Sequence, residues 1–189
     1  MSIFQGIEIS VFRWINTDWS NPVFDKVFSL FSNLPVLLIP AVILIVWLLI
    51  KGGKSGRFFV LKLILAVIVA NEITEILLRP WIGRVRPCVA LQGVHTPDGI
   101  LTSFSFPAGA AALIASVMFL LSIRYPRYKW LFIFLAVMVG LSRIYLGVHY
   151  PTDVLGGFAV GILAGLIVIL VFRLLEKTIK GHGRPTSTR

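Results

Sequence analysis

The chain has 189 residues, of which 57% are hydrophobic and only 14% are charged. Soluble domains carry roughly 25% charged residues, so this composition excludes an ordinary soluble domain and indicates an integral membrane protein. The formal net charge of +10 would suit nucleic-acid binding. The same charge also results when Lys and Arg flank membrane spans on the cytoplasmic side. The basic residues here are placed in that way, so we expect no nucleic-acid partner. The single cysteine excludes an intrachain disulfide and a cysteine-based metal cluster.

Residues 1–23 predict a short helix that lies in the membrane interface. Apolar residues alternate there with Glu8 and Arg13, and two tryptophans follow, as at a membrane–water boundary. Asn21-Pro22 then predicts a break after which a new helix begins. A sixth span in residues 2–20 is the alternative interpretation of this segment.

Five apolar segments predict five transmembrane helices, because each is long enough to cross a hydrocarbon core of roughly 30 Å. They cover residues 27–50, 58–78, 106–123, 130–146 and 154–172. The last contains glycines at every fourth position, which predicts a face for close helix packing. We therefore expect an all-α bundle of five transmembrane helices over residues 24–175, followed by a polar cytoplasmic tail at 176–189.

Charged residues within and between these segments need partners or a solvated position. Glu75 lies one turn before Arg79, so we expect an ion pair between them rather than a catalytic acid. His95, in the connection at 80–105, is expected to be solvent-exposed and unrelated to chemistry.

The distribution of Lys and Arg predicts the orientation in the membrane. Twelve of them lie in residues 51–62, 124–129 and 173–189, and the other six lie on the opposite side. The positive-inside rule then places the N-terminus outside and the C-terminus in the cytoplasm, within the inner (cytoplasmic) membrane. The outward-facing arginines require a separate explanation.

Polar residues at the outer ends of three spans predict a site for a phosphate group. Arg79 and Arg86 follow the second span, Arg143 ends the fourth, and His149 and Asp153 precede the fifth. Guanidinium groups can bind two phosphate oxygens at once, and a histidine can attack phosphorus or transfer a proton. His149 and Asp153 are four residues apart, so on a helix the carboxylate could orient the imidazole.

These stretches resemble the three motifs of the type 2 phosphatidic acid phosphatase (PAP2) superfamily. The first motif is Lys, six residues, then Arg-Pro, and here it is Arg79, six residues, then Arg86-Pro87. The third is Ser-Arg, five residues, His, three residues, Asp, and it is intact from Ser142 to Asp153. The second is Pro-Ser-Gly-His, and here it is Pro-Ala-Gly-Ala at 107–110.

The resemblance implies a membrane lipid phosphatase that needs no metal and no cofactor. It implies that His149 is the nucleophile, forming a phosphohistidine, and that Asp153 orients it. Phosphate binding is implied for Arg79, Arg86, Arg143 and the backbone N–H of Gly109. The implied substrates are undecaprenyl pyrophosphate, phosphatidylglycerophosphate or the lipid A 1-phosphate, cleaved at the extracytoplasmic face.

Three positions depart from the family pattern. Arg79 stands where the family has Lys, which keeps the positive charge. Ala108 and Ala110 stand where the family has Ser and His, which removes a phosphate donor and the general acid, a role worth typically 10²–10⁴-fold in rate. We therefore expect an impaired enzyme. Either this is a natural non-catalytic homologue that binds or transports lipid phosphates, or the alanines were introduced into an active enzyme. We favour the second, because the sequence around the two alanines is kept and the change to Arg79 preserves the charge.

Overall fold

The computed structural model describes residues 3–182, apart from the side chains of residues 34 and 179–182, and this part of the chain is helical without any strand. The α-helices are α1 (Ile3–Arg13), α2 (Pro22–Ser32), α3 (Leu34–Lys51), α4 (Gly53–Asn71), α5 (Arg79–Ile82), α6 (Pro87–Ala90), α7 (Gly109–Arg124), α8 (Lys129–Tyr145) and α9 (Pro151–His182). A π-helical segment, Trp14–Asp18, extends α1, and another, Glu72–Leu78, joins α4 to α5. The predicted all-α class is confirmed.

Two helices of the described chain are long and apolar enough to cross a membrane alone. They are Pro126–Tyr145, which includes α8, and Pro151–Thr178 of α9. The helices α2 and α3 pass the same criteria together, although they are bent by 42° at the break between them. The helix α7 is apolar but has 16 residues. The membrane class is therefore supported by the helices themselves, while the number of five spans stays a prediction.

The break between α2 and α3 differs from the predicted first span. We expected one helix over 27–50 with kinks at its prolines, but the structure has two helices that separate at Asn33. The Asn33 side chain accepts a hydrogen bond from the Val36 N–H, so it caps the start of α3. Pro40 lies inside α3, which continues past it to Lys51. The Asn33 cap and Pro35, in the first turn of α3, therefore set the break together, whereas Pro40 does not interrupt the helix.

The helices α7 and α9 pack with their backbones in contact. A methyl group built on Gly157 would lie 2.4 Å from the Ala108 carbonyl oxygen, and one on Gly161 would lie 2.2 Å from the Ala112 carbonyl oxygen. Only glycine permits this approach, so the predicted packing role of these glycines is confirmed. The helix α9 also runs beyond the predicted tail boundary at 176, as far as His182.

The N-terminal segment is fastened to the rest of the fold by Asn16, which is fully buried. Its amide donates to the carbonyl oxygens of His95 (2.7 Å) and Tyr145 (2.6 Å), and its oxygen accepts from the His95 N–H (2.9 Å). The His95 ring also lies 2.7 Å from Asp25. The expectation that His95 is solvent-exposed is therefore wrong, because these contacts hold it against α2 and α8.

Candidate active site

The first and third motifs meet at Arg86 and His149. Arg86 precedes α6 and is 3% exposed, and its Nη1 lies 3.0 Å from Nε2 of His149. The same guanidinium donates to the carbonyl oxygens of Ser103 (2.8 Å) and Val148 (2.9 Å). These bonds lock Arg86 beside the imidazole, so two residues that are 63 positions apart form one site.

The contact with Arg86 determines which nitrogen of His149 carries the proton. Arginine can only donate hydrogen bonds, so Nε2 of His149 must be the acceptor and Nδ1 must carry the hydrogen. Nδ1 lies 3.7 Å from Oδ2 of Asp153, which is near but longer than a hydrogen bond. Nε2 therefore has the lone pair that a nucleophile needs, and Asp153 lies on the opposite side of the ring.

Asp153, in the first turn of α9, is fully buried and has two strong partners. Oδ2 accepts the Tyr150 N–H at 2.8 Å, and Oδ1 accepts from Nη1 of Arg84 at 2.6 Å. Arg84 in turn donates through Nη2 to Glu8 of α1 at 2.6 Å. The sequence motifs give no role to Glu8 and no partner to Arg84. A single acidic residue in an apolar helix was the available signal for Glu8, because such a residue needs a buried partner.

Arg79 and Gly109 are neighbours, as the motifs predicted. A methyl group built on Gly109 would lie 3.2 Å from Nη2 of Arg79 and 3.0 Å from Oε1 of Glu75. Nη1 of Arg79 pairs with Oε2 of Glu75, which confirms the predicted ion pair. The absence of a side chain on Gly109 thus leaves space for the guanidinium against the start of α7.

Arg143, in the last turn of α8, contributes to the site through both its backbone and its side chain. Its carbonyl oxygen accepts the N–H groups of Val148 and His149, each at 3.2 Å, so it fixes the backbone that carries the imidazole. Its Nη2 donates to the Ser32 carbonyl oxygen at 3.2 Å.

The altered second motif lies at the start of α7. Ala108 is the N-cap residue, is fully buried and makes no side-chain cap, while its N–H donates to the Asp153 carbonyl oxygen at 2.9 Å. Ala110 is the second residue of the helix and is partly exposed. The second motif is therefore joined to the third by a backbone hydrogen bond.

Buried polar atoms without a partner are concentrated in this site. In residues 3–182 they are Thr74 Oγ1, Arg79 Nε, Arg143 Nε and His149 Nδ1. Nδ1 of His149 faces Asp153, but buried N–H groups are normally bonded, so the two arginine donors favour a ligand with several acceptor oxygens. The same part of the chain has no group of three His, Cys, Asp or Glu side chains that could hold a metal ion.

An all-helical membrane fold with an arginine-lined histidine is typical of a membrane phosphatase. The family model for the PAP2 superfamily matches residues 59–177, and the chain belongs to this superfamily. The class is therefore a membrane lipid phosphatase, a hydrolase of phosphoric esters.

Curated relatives cover most of the chain. Phosphatidylglycerophosphatase B of Bacillus subtilis (strain 168) is 34% identical over 82% of this chain and 76% of that protein. The bacitracin transport permease protein BcrC of Bacillus licheniformis is 33% identical over 87% of this chain and 80% of that protein. The undecaprenyl-diphosphatase BcrC of Bacillus subtilis (strain 168) is 29% identical over 82% and 79%.

Two solved structures share the fold. The crystal structure of Aquifex aeolicus LpxE superimposes with a TM-score of 0.73 at 29% identity, covering 85% of this chain and 93% of that one. The PAP2-type phosphatidylglycerolphosphate phosphatase of Bacillus subtilis gives a TM-score of 0.67 over 98% of this chain and 90% of that one. At 24% identity, the second likeness supports the fold alone.

Proposed function

We propose that this site hydrolyses the terminal phosphate of a membrane lipid, with His149 as the nucleophile. The observation that carries the proposal is Nε2 of His149, which holds a lone pair 3.0 Å from the guanidinium of Arg86. The unpartnered Nε atoms of Arg79 and Arg143 provide further donors for phosphate oxygens. The relatives are named for phosphatidylglycerophosphate, undecaprenyl diphosphate and lipid A, so these are the candidate substrates.

The reaction proceeds in two displacements at phosphorus. The Arg86 N–H releases Nε2 of His149 and donates to a phosphate oxygen instead. Nε2 then attacks the phosphorus, a P–N bond forms, and the P–O bond to the lipid breaks. The leaving oxygen takes a proton and departs as the lipid alcohol, or as the lipid monophosphate when the substrate is a pyrophosphate. Water then attacks the phosphohistidine, the P–N bond breaks, and inorganic phosphate leaves. The arginines stabilise the charge on the phosphoryl oxygens in both steps.

The general acid for the leaving oxygen is the missing part in this chain. The family pattern places a histidine at position 110, but Ala110 has no proton to donate. The pattern also places a serine hydroxyl at position 108, where this chain has Ala108. Loss of a general acid lowers the rate typically 10²–10⁴-fold. We expect turnover in the chain as it stands to be strongly reduced.

Restoring the two side chains should restore the activity. The double substitution Ala108→Ser and Ala110→His is expected to raise phosphate release at least about 100-fold, because it returns the proton donor. Phosphate release in detergent micelles should be measured with phosphatidylglycerophosphate, undecaprenyl pyrophosphate and lipid A as separate substrates. The matched control adds His149→Gln to the double substitution and should abolish the gain. A restored protein that is inert toward all three lipids would refute the proposal.

The alanines also favour a second candidate function, in which the chain binds a lipid phosphate without turnover. For this function the unsubstituted chain should bind the same lipids in micelles, and Arg143→Ala should abolish the binding. Arg13→Gln is the control, since Arg13 is an exposed arginine outside the site. Binding without any gain of turnover in the restored protein would select this function over the first.

We further propose that the protein lies in the inner membrane with this site on the extracytoplasmic face. The proposal rests on the twelve Lys and Arg residues assigned to the opposite side by the sequence. On that assignment, Arg79, Arg86 and Arg143 face outward because they bind phosphate.

A further inference from the structure

One guanidinium, that of Arg84, connects the candidate active site to the N-terminal helix α1. Nη1 of Arg84 lies 2.6 Å from Oδ1 of Asp153, and Nη2 lies 2.6 Å from Oε2 of Glu8. The same group stacks on the ring of Tyr150, 4.0 Å from the ring centroid. A planar guanidinium that is bonded through both Nη atoms and stacked on one face has little freedom to move.

Thr152 closes this arrangement into a ring of polar contacts. Its hydroxyl accepts from Nη1 of Arg84 at 2.8 Å and donates to Oε1 of Glu8. The Thr152 N–H also donates to the same carboxylate oxygen, at 3.3 Å. Since Thr152 is in the first turn of α9, Glu8 supplies a negative charge at the N-terminus of that helix. The first turn of α9 is therefore tied to α1 one residue before Asp153.

Burial makes this network sensitive to the loss of any member. Asp153 is fully buried, Glu8 is 9% exposed, and Arg84 is the cation between them. Removing one charge from such a set leaves another buried without its partner. The Arg84 contact also sets the direction of the Asp153 carboxylate, because it holds Oδ1 and leaves Oδ2 toward Nδ1 of His149.

We propose that Arg84 and Glu8 are positioning residues for the reaction: Glu8 orients Arg84, Arg84 orients Asp153, and Asp153 orients His149. The α1 helix is then a working part of the active site, not only a membrane anchor. This inference rests on the proposed function, in which His149 attacks phosphorus. Neither residue needs to touch the substrate. In metal sites, partners that orient a ligand through a hydrogen bond are typically worth 10–100-fold, and we expect an effect of that size here.

Two oxyanions can separate positioning from simple folding in the chain as it stands. Vanadate can accept the Nε2 lone pair of His149 as a fifth ligand, forming a V–N bond with no atom leaving, so its binding needs an aligned imidazole. Sulfate needs only the arginines. We expect Glu8→Gln and Arg84→Gln to weaken vanadate binding at least tenfold and sulfate binding less than twofold. Ser10→Ala and Arg13→Gln, both exposed on α1, are the matched controls and should change neither.

Kinetics in the Ala108→Ser and Ala110→His background give the second measurement. We expect Glu8→Gln to lower kcat at least tenfold with KM within about twofold, and Arg84→Lys to recover part of the loss caused by Arg84→Gln. Adding Glu8→Gln to Arg84→Gln should lower kcat less than twofold further, because both changes interrupt one chain of contacts.

The outcomes distinguish the two proposals. The proposed function, and this inference with it, would be refuted by two results together. The unsubstituted protein would bind vanadate no more tightly than sulfate, and the protein with Ala108→Ser and Ala110→His would release no phosphate. Suppose instead that the unsubstituted protein prefers vanadate and the restored protein turns over lipid. If Glu8→Gln and Arg84→Gln then change neither property, the positioning role alone is refuted. Variants that lose vanadate and sulfate binding equally would show a structural role and would also overturn it.

Discussion

The surroundings of His149 keep its imidazole neutral. Burial lowers the pKa of His149 to about 4, and the cationic groups of Arg86 and Arg143 act in the same direction, against the opposing effect of the Asp153 carboxylate. A neutral imidazole retains its lone pair, which a nucleophile requires. In the proposed mechanism, burial and the phosphate-binding cations therefore act together to keep the attacking residue in its reactive form.

This environment predicts the titration of His149 directly. Because the neutral form is favoured, Nε2 should remain unprotonated as the pH falls below 6.5, the ordinary pKa of histidine, and should become half protonated only near pH 4. Nitrogen NMR of the protein labelled with ¹⁵N-histidine can follow both ring nitrogens, with His149→Gln to assign the signal. A midpoint at or above 6.5, or a proton on Nε2 at neutral pH, would contradict the description of the site.

The Glu75 carboxylate pairs with the guanidinium of Arg79, to which the proposed function assigns a phosphate oxygen. Glu75 is exposed, so we expect it to compete with phosphate for Arg79. Glu75→Gln removes this competitor and raises the net charge of the site by one. An exposed ion pair is worth about 0.2–1 kcal/mol, so we expect inorganic phosphate to bind up to about fivefold more tightly.

The measurement for Glu75→Gln is equilibrium binding of phosphate to the purified protein. Glu72→Gln, one turn earlier and exposed, is the matched control and should leave the affinity within experimental error. Weaker binding in Glu75→Gln would mean that the carboxylate holds Arg79 in place for the ligand instead of competing with it.

For individual residues, the sequence predicted which ones form the motifs but only some of the contacts between them. The spacings were sufficient to place Arg86 beside His149, and the i,i+4 relation was sufficient to pair Glu75 with Arg79. The partnership of Asp153 with Arg84 and Glu8 was not predictable, because its two ion pairs join residues 69 and 76 positions apart on three separate segments. Such a network depends on tertiary packing, which no local pattern contains.

The glycine face of α9 is the element that holds the second and third motifs together. The methyl group added by Gly161→Ala would meet the Ala112 carbonyl oxygen at 2.2 Å, so α7 and α9 would have to separate. Overpacking of this kind typically costs about 1–3 kcal/mol. We expect a matching fall in the free energy of unfolding, measured by titrating detergent micelles with a denaturing detergent.

The control for that substitution is Gly6→Ala in α1, where an added methyl group has no neighbour within 4 Å. In a helix this change should be neutral or stabilising by up to about 1 kcal/mol, through helix propensity alone. Equal stability of Gly161→Ala and the parent would show that the contact between α7 and α9 can relax without loss.

The helices α7 and α8 begin and end within three residues of their predicted segments, whereas α9 continues past its segment to His182. The predicted helix start at Asn21-Pro22 is confirmed, and the Asn21 side chain caps α2 by accepting from the N–H groups of Val23 and Phe24. The division at Asn33 was missed because the apolar composition continues across it. The π-helical segment Glu72–Leu78 has no signal in the residue pattern, although such segments often occur at functional sites.

For the whole molecule, the orientation in the membrane is the property to be tested. We expect Gln92 on the outer side and Arg127 on the cytoplasmic side, since basic residues are concentrated in the loops around the latter. Both positions are exposed, and the only native cysteine can be removed as Cys88→Ser. In that background, Gln92→Cys should react with a membrane-impermeant maleimide in intact spheroplasts, and Arg127→Cys should react only after permeabilisation.

The two cysteine variants control each other, because permeabilised spheroplasts must label both. The reverse pattern would place the site in the cytoplasm. It would also leave the outward placement of Arg79, Arg86 and Arg143 without support.

The contact of the Ala108 carbonyl oxygen with Gly157 has a further consequence. It fixes the ends of α7 and α9 that carry the second and third motifs to each other, and the hydrogen bond from Arg86 to the Val148 carbonyl oxygen holds the first motif against them. A substitution that separates the two helices should therefore displace all three motifs together.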